Sequence, residues 1–176
     1  DGTFPNHHPD PTVEENLTDL INEIRSGDYD VGIAFDGDAD RVGVVDDTGE
    51  ILWADQLMSI FLPDIISEGE DILFDVKCSQ ALEDMIRRYG GNPIMWKTGH
   101  SLIKQKMVEL GCKFGGEMSG HIFFADDYYG YDDALYVAAR LLQLLSKTEK
   151  SLSQLRTEIP VYYSTPEMRM EAKNDE

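Results

Sequence analysis

The chain has 176 residues, 41% hydrophobic and 10% aromatic, with a formal net charge of -19, which suits a soluble globular protein of one or two domains. So acidic a chain argues against nucleic acid and anionic membrane as partners, since both attract basic patches. No apolar run approaches the roughly 20 residues of a membrane span, no signal peptide opens the chain, and two cysteines outside any CxxC pair suit a cytoplasmic protein with reduced thiols.

Thr12 and Glu15 have capping-box spacing, and Val13, Leu17, Leu20, Ile21 and Ile24 fall on one helical face that Gly27 would end. Val31–Phe35 reads as a buried strand running into an Asp/Gly cluster. Val42–Val45 and Ile51–Trp53 read as two further strands, paired as a hairpin across the Asp47–Glu50 turn. From Asp55 the pattern alternates: a helix over 56–67 disturbed at Pro63, a strand over 72–76, a helix over 80–89 ended by Gly90-Gly91. A strand over 93–96, a helix over 101–110, short strands at 113–114 and 121–124, and an apolar helix over 133–145 follow. This alternation predicts an α/β fold, a layered domain with helices on a mixed sheet. A boundary falls near 50–55, the first segment reading as the end of a domain. After Pro160 the chain reads as a linker.

Asp36-Gly-Asp38-Ala-Asp40-Arg41 directly follows the first strand. Three carboxylates at alternate positions in a tight loop can converge on one hard cation, and Mg²⁺ commonly shares such oxygens with a substrate phosphate. Arg41 adds a fork suited to phosphate oxygens. An EF-hand would need Gly where Arg41 stands and a helix in place of the strand. An aspartate-nucleophile phosphatase, with Asp36 and Asp38 as its pair, and a solvated acidic turn both remain open on this loop alone.

Gly115-Gly-Glu117-Met-Ser119-Gly-His121 sets a carboxylate, a hydroxyl and an imidazole among glycines that let a ligand approach the backbone. Glu117 and Ser119 can hydrogen-bond vicinal sugar hydroxyls, and His121 can move a proton near neutral pH; a Gly-rich turn with an incidental His is the plain alternative. His100 lies where a strand passes into a helix, beside Ser101 as a possible cap, and Lys77 ends the 72–76 strand. His7 and His8 sit in a Pro-rich turn and read as structural. Tyr128, Tyr129 and Tyr131 could stack on a sugar or pack a hairpin tip.

Taken together, the acidic loop, Gly116–His121, Phe4–Pro11, Asp75–Cys78 and Trp96–Ser101 resemble, in order, the motifs of the α-D-phosphohexomutase family. The Glu-Met-Ser-Gly-His form is most similar to its bacterial phosphomannomutase/phosphoglucomutase branch. The resemblance implies that residues 1–50 form the later part of that family's second domain. It further implies that 51–160 form the third, an αβα layer on a mixed four-stranded sheet, and 161–176 a linker toward a fourth. It implies Mg²⁺ on Asp36, Asp38 and Asp40, and Arg41, Lys77 and His100 at the phosphoryl group and reacting oxygens. Glu117 and Ser119 would hold the sugar's O3 and O4, and His121 would bind or carry a proton.

The implied activity is interconversion of hexose 1- and 6-phosphates, mannose or glucose, through a phosphoserine and a 1,6-bisphosphate, with glucose 1,6-bisphosphate as activator. The family's phosphoserine loop, in its first domain, and the phosphate clamp, in its fourth, have no counterpart in this sequence. The chain alone is therefore expected to lack turnover. That division also accounts for so acidic a chain meeting an anionic substrate. An aspartate-nucleophile Mg-dependent phosphatase and a non-catalytic metal- or sugar-binding module are the alternatives.

Overall fold

A computed structural model describes residues 2–163. The chain begins with a loop and a 3-10 turn, Glu14–Leu17, that passes into α1, Thr18–Ser26. Thr12 does not cap this helix. Its N–H and hydroxyl both donate to Asp10 Oδ1, at 3.0 and 2.7 Å, in a turn of their own. That local capture delays the regular helix to Thr18. Gly27 ends α1 as expected.

β1 (Val31–Phe35), β2 (Val42–Asp46) and β3 (Ile51–Leu52) form an antiparallel sheet in that order. β1 and β2 pair from Val31↔Asp46 to Phe35↔Val42, so the acidic loop is the connection between two paired strand ends. Trp53 leaves the third strand to precede α2, Ala54–Ile65, where its N–H donates to Gln56 Oε1 at 3.0 Å. Pro63 does not interrupt α2. It lies in the last turn, where it forgoes one backbone bond while the Ile66 N–H still reaches Leu62 O at 2.9 Å.

The second sheet has β4 (Asp71–Asp75) flanked in parallel by β5 (Asn92–Trp96) and β6 (Phe114–Gly116). β7 (Ile122–Phe124) runs antiparallel to β6, giving the order β5-β4-β6-β7. α3 (Gln80–Arg88) and α4 (His100–Leu110) are the crossovers, and α5 (Ala134–Leu145) follows β7. Ser101 is not the cap of α4: the helix begins at His100, after Gly99 at φ 135°. The mixed four-stranded sheet between helices is thus the expected layered fold.

One buried cluster runs through both sheets, joining Val42, Val44 and Leu52 to Leu57, Phe61, Ile72, Phe114, Phe124 and Leu141. Phe61 meets the Phe124 ring edge-on at 5.1 Å. A short helix absent from the sequence reading, α6 (Leu152–Arg156), is capped by Ser151 and Gln154. It docks on the β2–β3 turn, with Ser153 N and Oγ donating to Asp47 at 2.7 and 2.8 Å. Arg156 Nε donates to the fully buried Asp46 at 2.8 Å. Of the expected linker, Val161–Tyr163 are exposed, and residues 164–176 lie outside the described residues. Among the described residues no helix is long and apolar enough to cross a membrane.

Candidate functional site

The loop after β1 turns because Ala39 takes a left-handed conformation at φ 59°, which brings alternate carboxylates to one side. Asp36, Asp38 and Asp40 each offer an oxygen, all within 4.8 Å of one another. Asp36 organises the loop: its Oδ1 accepts the N–H groups of Asp40 and Arg41, both at 3.1 Å, and its Oδ2 accepts Arg41 Nε at 2.7 Å. Burial works to raise its pKa, but these donors outweigh it and hold the carboxyl below its ordinary value. Arg41 is clamped on its other side by Asp10, Nη1 to Oδ1 at 3.1 Å. The guanidinium therefore braces the loop from within.

Asp40 behaves oppositely. Burial, followed by the neighbouring carboxylates of Asp36, Asp38 and Asp132, pushes its pKa up to about 6. Three clustered carboxylates whose repulsion is only partly offset by one arginine are the donor set a hard divalent cation would relieve. The exposed Asp38 and the partly exposed Asp40 leave such an ion a face on solvent. The set fits Mg²⁺.

The Gly-rich loop adjoins this one directly. The Val42 N–H donates to Gly120 O at 3.1 Å, and the Ala134 N–H donates to Ala39 O at 3.0 Å, so three segments are pinned around Asp40. His121 Nδ1 stands 3.7 Å from Asp40 Oδ2 and its ring centroid 5.0 Å from that of His100. Burial holds the His121 imidazole below its ordinary pKa, against the pull of Asp132 and Glu117, so it is neutral at neutral pH.

Glu117 is almost wholly buried. Its carboxylate accepts the Gly99 N–H, which fixes the β5–α4 loop and hence His100. Burial raises its pKa, opposed by that hydrogen bond and by His121. Ser119 and Lys77 lie together. Both line an open cavity of about 610 Å³ with Trp53, Asp75, Thr98 and Met118. The structure therefore joins Asp36, Asp38, Asp40, Arg41, His100 and His121 in one contiguous cluster, and puts Lys77 and Ser119 on a cavity that Thr98 and Met118 share. The tyrosines pack locally. Tyr128 stacks on Tyr136 at 3.8 Å and donates to Asp133 at 2.6 Å. His7 and His8 stay in their exposed turn.

Two site residues escaped the sequence reading. Asp132 faces both histidines, with Oδ2 2.9 Å from His100 Nδ1 and 3.0 Å from His121 Nδ1, while its Oδ1 accepts Lys104 Nζ at 2.7 Å. The fully buried Asp75 accepts Thr98 Oγ1 at 2.8 Å and the Met118 N–H at 3.1 Å, joining the loop before His100 to the one holding Ser119. The adjacent acids Asp132-Asp133 and the Asp75–Cys78 segment were the available signals; neither reveals partners so distant in sequence.

Residues 53–163 match the family model described as phosphoglucomutase/phosphomannomutase, alpha/beta/alpha domain III, and residues 1–49 match that of domain II. A phosphomannomutase/phosphoglucomutase of Pseudomonas aeruginosa is 51% identical over 99% of this chain and 38% of that protein. A phosphoglucomutase of Neisseria meningitidis is 47% identical over 97% of this chain and 37% of that protein. A crystal structure of a phosphoglucomutase/phosphomannomutase family protein from Burkholderia thailandensis superposes with a TM-score of 0.90 at 48% identity, covering 94% of this chain and 36% of that one. The chain thus spans under two-fifths of the length of these relatives.

Proposed function

The chain belongs to the phosphoglucomutase/phosphomannomutase family, and from that premise we propose that it supplies the metal loop and sugar-reading loop of a hexose-phosphate mutase. The complete enzyme would interconvert hexose 1-phosphate and hexose 6-phosphate through a phosphoserine and a 1,6-bisphosphate. The phosphoserine and phosphate clamp would come from parts of the relatives that this chain does not match. Residues 1–50 would be the later part of domain II and 51–160 domain III. The observation that carries the reading is the contact between the two motifs, His121 lying 3.7 Å from Asp40.

In this account Asp36, Asp38 and Asp40 hold Mg²⁺, which when bound supplies positive charge to a phosphoryl group in transfer. Asp36 also sets the loop through its backbone donors. Arg41 keeps Asp36 and Asp10 in register and turns the rest of its fork toward the phosphoryl oxygens. Lys77 neutralises phosphate charge along the groove. Ser119 and Glu117 hold vicinal sugar hydroxyls, Glu117 by exchanging the Gly99 N–H for a hydroxyl. A contact to O3 and O4 treats glucose and mannose alike, because these differ at C2. His121, neutral and poised beside the metal loop, takes or gives the proton of the reacting hydroxyl, with His100 as its neighbour. Glucose 1,6-bisphosphate would activate the complete enzyme. Cys78 and Cys112, both free thiols, fit a cytoplasmic setting.

An aspartate nucleophile at Asp36 fits poorly. Its oxygens accept hydrogen bonds that tie the carboxylate into the loop while leaving a lone pair for a cation, and the matched family and relatives are named as mutases rather than phosphatases. A full-length protein carrying this chain, supplied with glucose 1-phosphate or mannose 1-phosphate, Mg²⁺ and trace glucose 1,6-bisphosphate, should form the 6-phosphate. A failure to form it would refute the reading.

A further inference from the structure

His100, His121, Asp132 and Asp40 each present one donor atom, all within 4.8 Å of one another. Oδ2 of Asp132 faces the Nδ1 atoms of His100 and His121 at 2.9 and 3.0 Å, and Oδ2 of Asp40 lies 3.7 Å from the His121 nitrogen. Among the described residues the Nδ1 of His121 is buried without a hydrogen-bond partner, although Oδ2 of Asp132 lies 3.0 Å from it. A buried ring nitrogen left in that condition ordinarily costs free energy.

We propose that His100, His121, Asp132 and Asp40 form a second cation site, which takes a borderline divalent ion of the Zn²⁺ class. Zinc bonds of about 2.0–2.1 Å in a tetrahedron set ligand atoms about 3.3–3.4 Å apart. The separations of 2.9, 3.0 and 3.7 Å bracket that edge. Two imidazole nitrogens with two carboxylates suit Zn²⁺, whereas Mg²⁺ selects an all-oxygen set such as the acidic loop. Outer contacts are in place. Lys104 holds Oδ1 of Asp132 at 2.7 Å, leaving Oδ2 toward the histidines, and the backbone bridge between Asp132 and Phe123 seats Asp132 beside the strand that follows His121. Because Asp40 belongs to both clusters, Zn²⁺ here would draw a ligand away from the acidic loop and weaken its hold on Mg²⁺.

The test is calorimetric titration of the chain with Zn²⁺ at neutral pH. It uses a His7→Ala, His8→Ala background to remove the exposed imidazoles, and Co²⁺ absorption to report tetrahedral geometry. One ion per chain is expected, bound at least about ten-fold more weakly in His100→Ala and in His121→Ala, and nearly unchanged in Asp38→Ala. The His100 side chain is 46% exposed, so that variant keeps its fold and decides the matter if His121→Ala does not. Zn²⁺ binding that survives His100→Ala at full strength, or that is lost in Asp38→Ala, would overturn the proposal. Since Asp38 serves the acidic loop alone, failure of this site and failure of the mutase reading are separately visible.

Discussion

Val42 gives its N–H to the carbonyl of Gly120 at 3.1 Å, and this bond joins the strand leaving the acidic loop to the Gly-rich loop. The approach depends on glycine. Gly120 sits at φ 97°, and a Cβ there would come within 2.9 Å of the Val42 carbonyl oxygen. Gly120→Ala should therefore cost about 1–3 kcal/mol, from strain at that dihedral and separation of the two loops. Urea unfolding of the variant checks this; an unchanged midpoint would mean the loops are not held together there.

Asp75 ties two loops that no sequence pattern connects. Asp75→Ala leaves the Thr98 hydroxyl and the Met118 N–H without their acceptor inside the protein, at an expected cost of about 2–3 kcal/mol. Chemical denaturation would show it. A loss below about 0.5 kcal/mol would indicate that water replaces the carboxylate.

At the other end of the β2–β3 hairpin, Asp47 anchors the start of α6 through Ser153. Asp47→Ala should lower stability by about 0.5–1 kcal/mol, in the manner of a lost helix cap at a partly exposed site. Burial tends to raise the Asp47 pKa, but the N–H and hydroxyl of Ser153 outweigh it, so the folded value lies below the ordinary one. A depressed folded pKa stabilises the protein above the unfolded value of about 3.9, and that contribution fades as pH falls through the folded value. The stability gap between the two proteins should accordingly be constant near neutrality and narrow in acid. A gap that widened in acid would contradict the assignment.

Glu117→Ala should weaken hexose-phosphate binding by about 1.5–3 kcal/mol if Glu117 makes a charged hydrogen bond to the sugar. Calorimetry with glucose 1-phosphate on a full-length protein carrying this chain measures it. Equal affinity in the two proteins would restrict Glu117 to holding Gly99.

Much of the fold is readable in the residues because its signals are local. Val31–Phe35 shows as an apolar run, Gly111 ends α4 in a left-handed conformation, and the Asp36–Asp38–Asp40 spacing is a feature of five consecutive residues. Asp132 was not readable: its partners His100 and Lys104 lie 32 and 28 residues away, and two adjacent acids in a Tyr-rich loop look like solvated surface. Thr12 misled because the nearer Asp10 takes the N–H that a capping box would give to the Glu15 carboxylate, and holds the hydroxyl as well. The capping pair of α6, Ser151 and Gln154, was present in the sequence, but five residues are too few for a helical period to emerge beside it.

The mutase account is tested most directly by following hexose 1-phosphate by phosphorus NMR in a full-length protein carrying this chain, as wild type and as Asp38→Ala. It predicts 6-phosphate from the wild type with Mg²⁺ and glucose 1,6-bisphosphate, and none from an Asp38→Ala protein of unchanged circular dichroism. An inert wild type, or an Asp38→Ala protein that turns over normally, would contradict it.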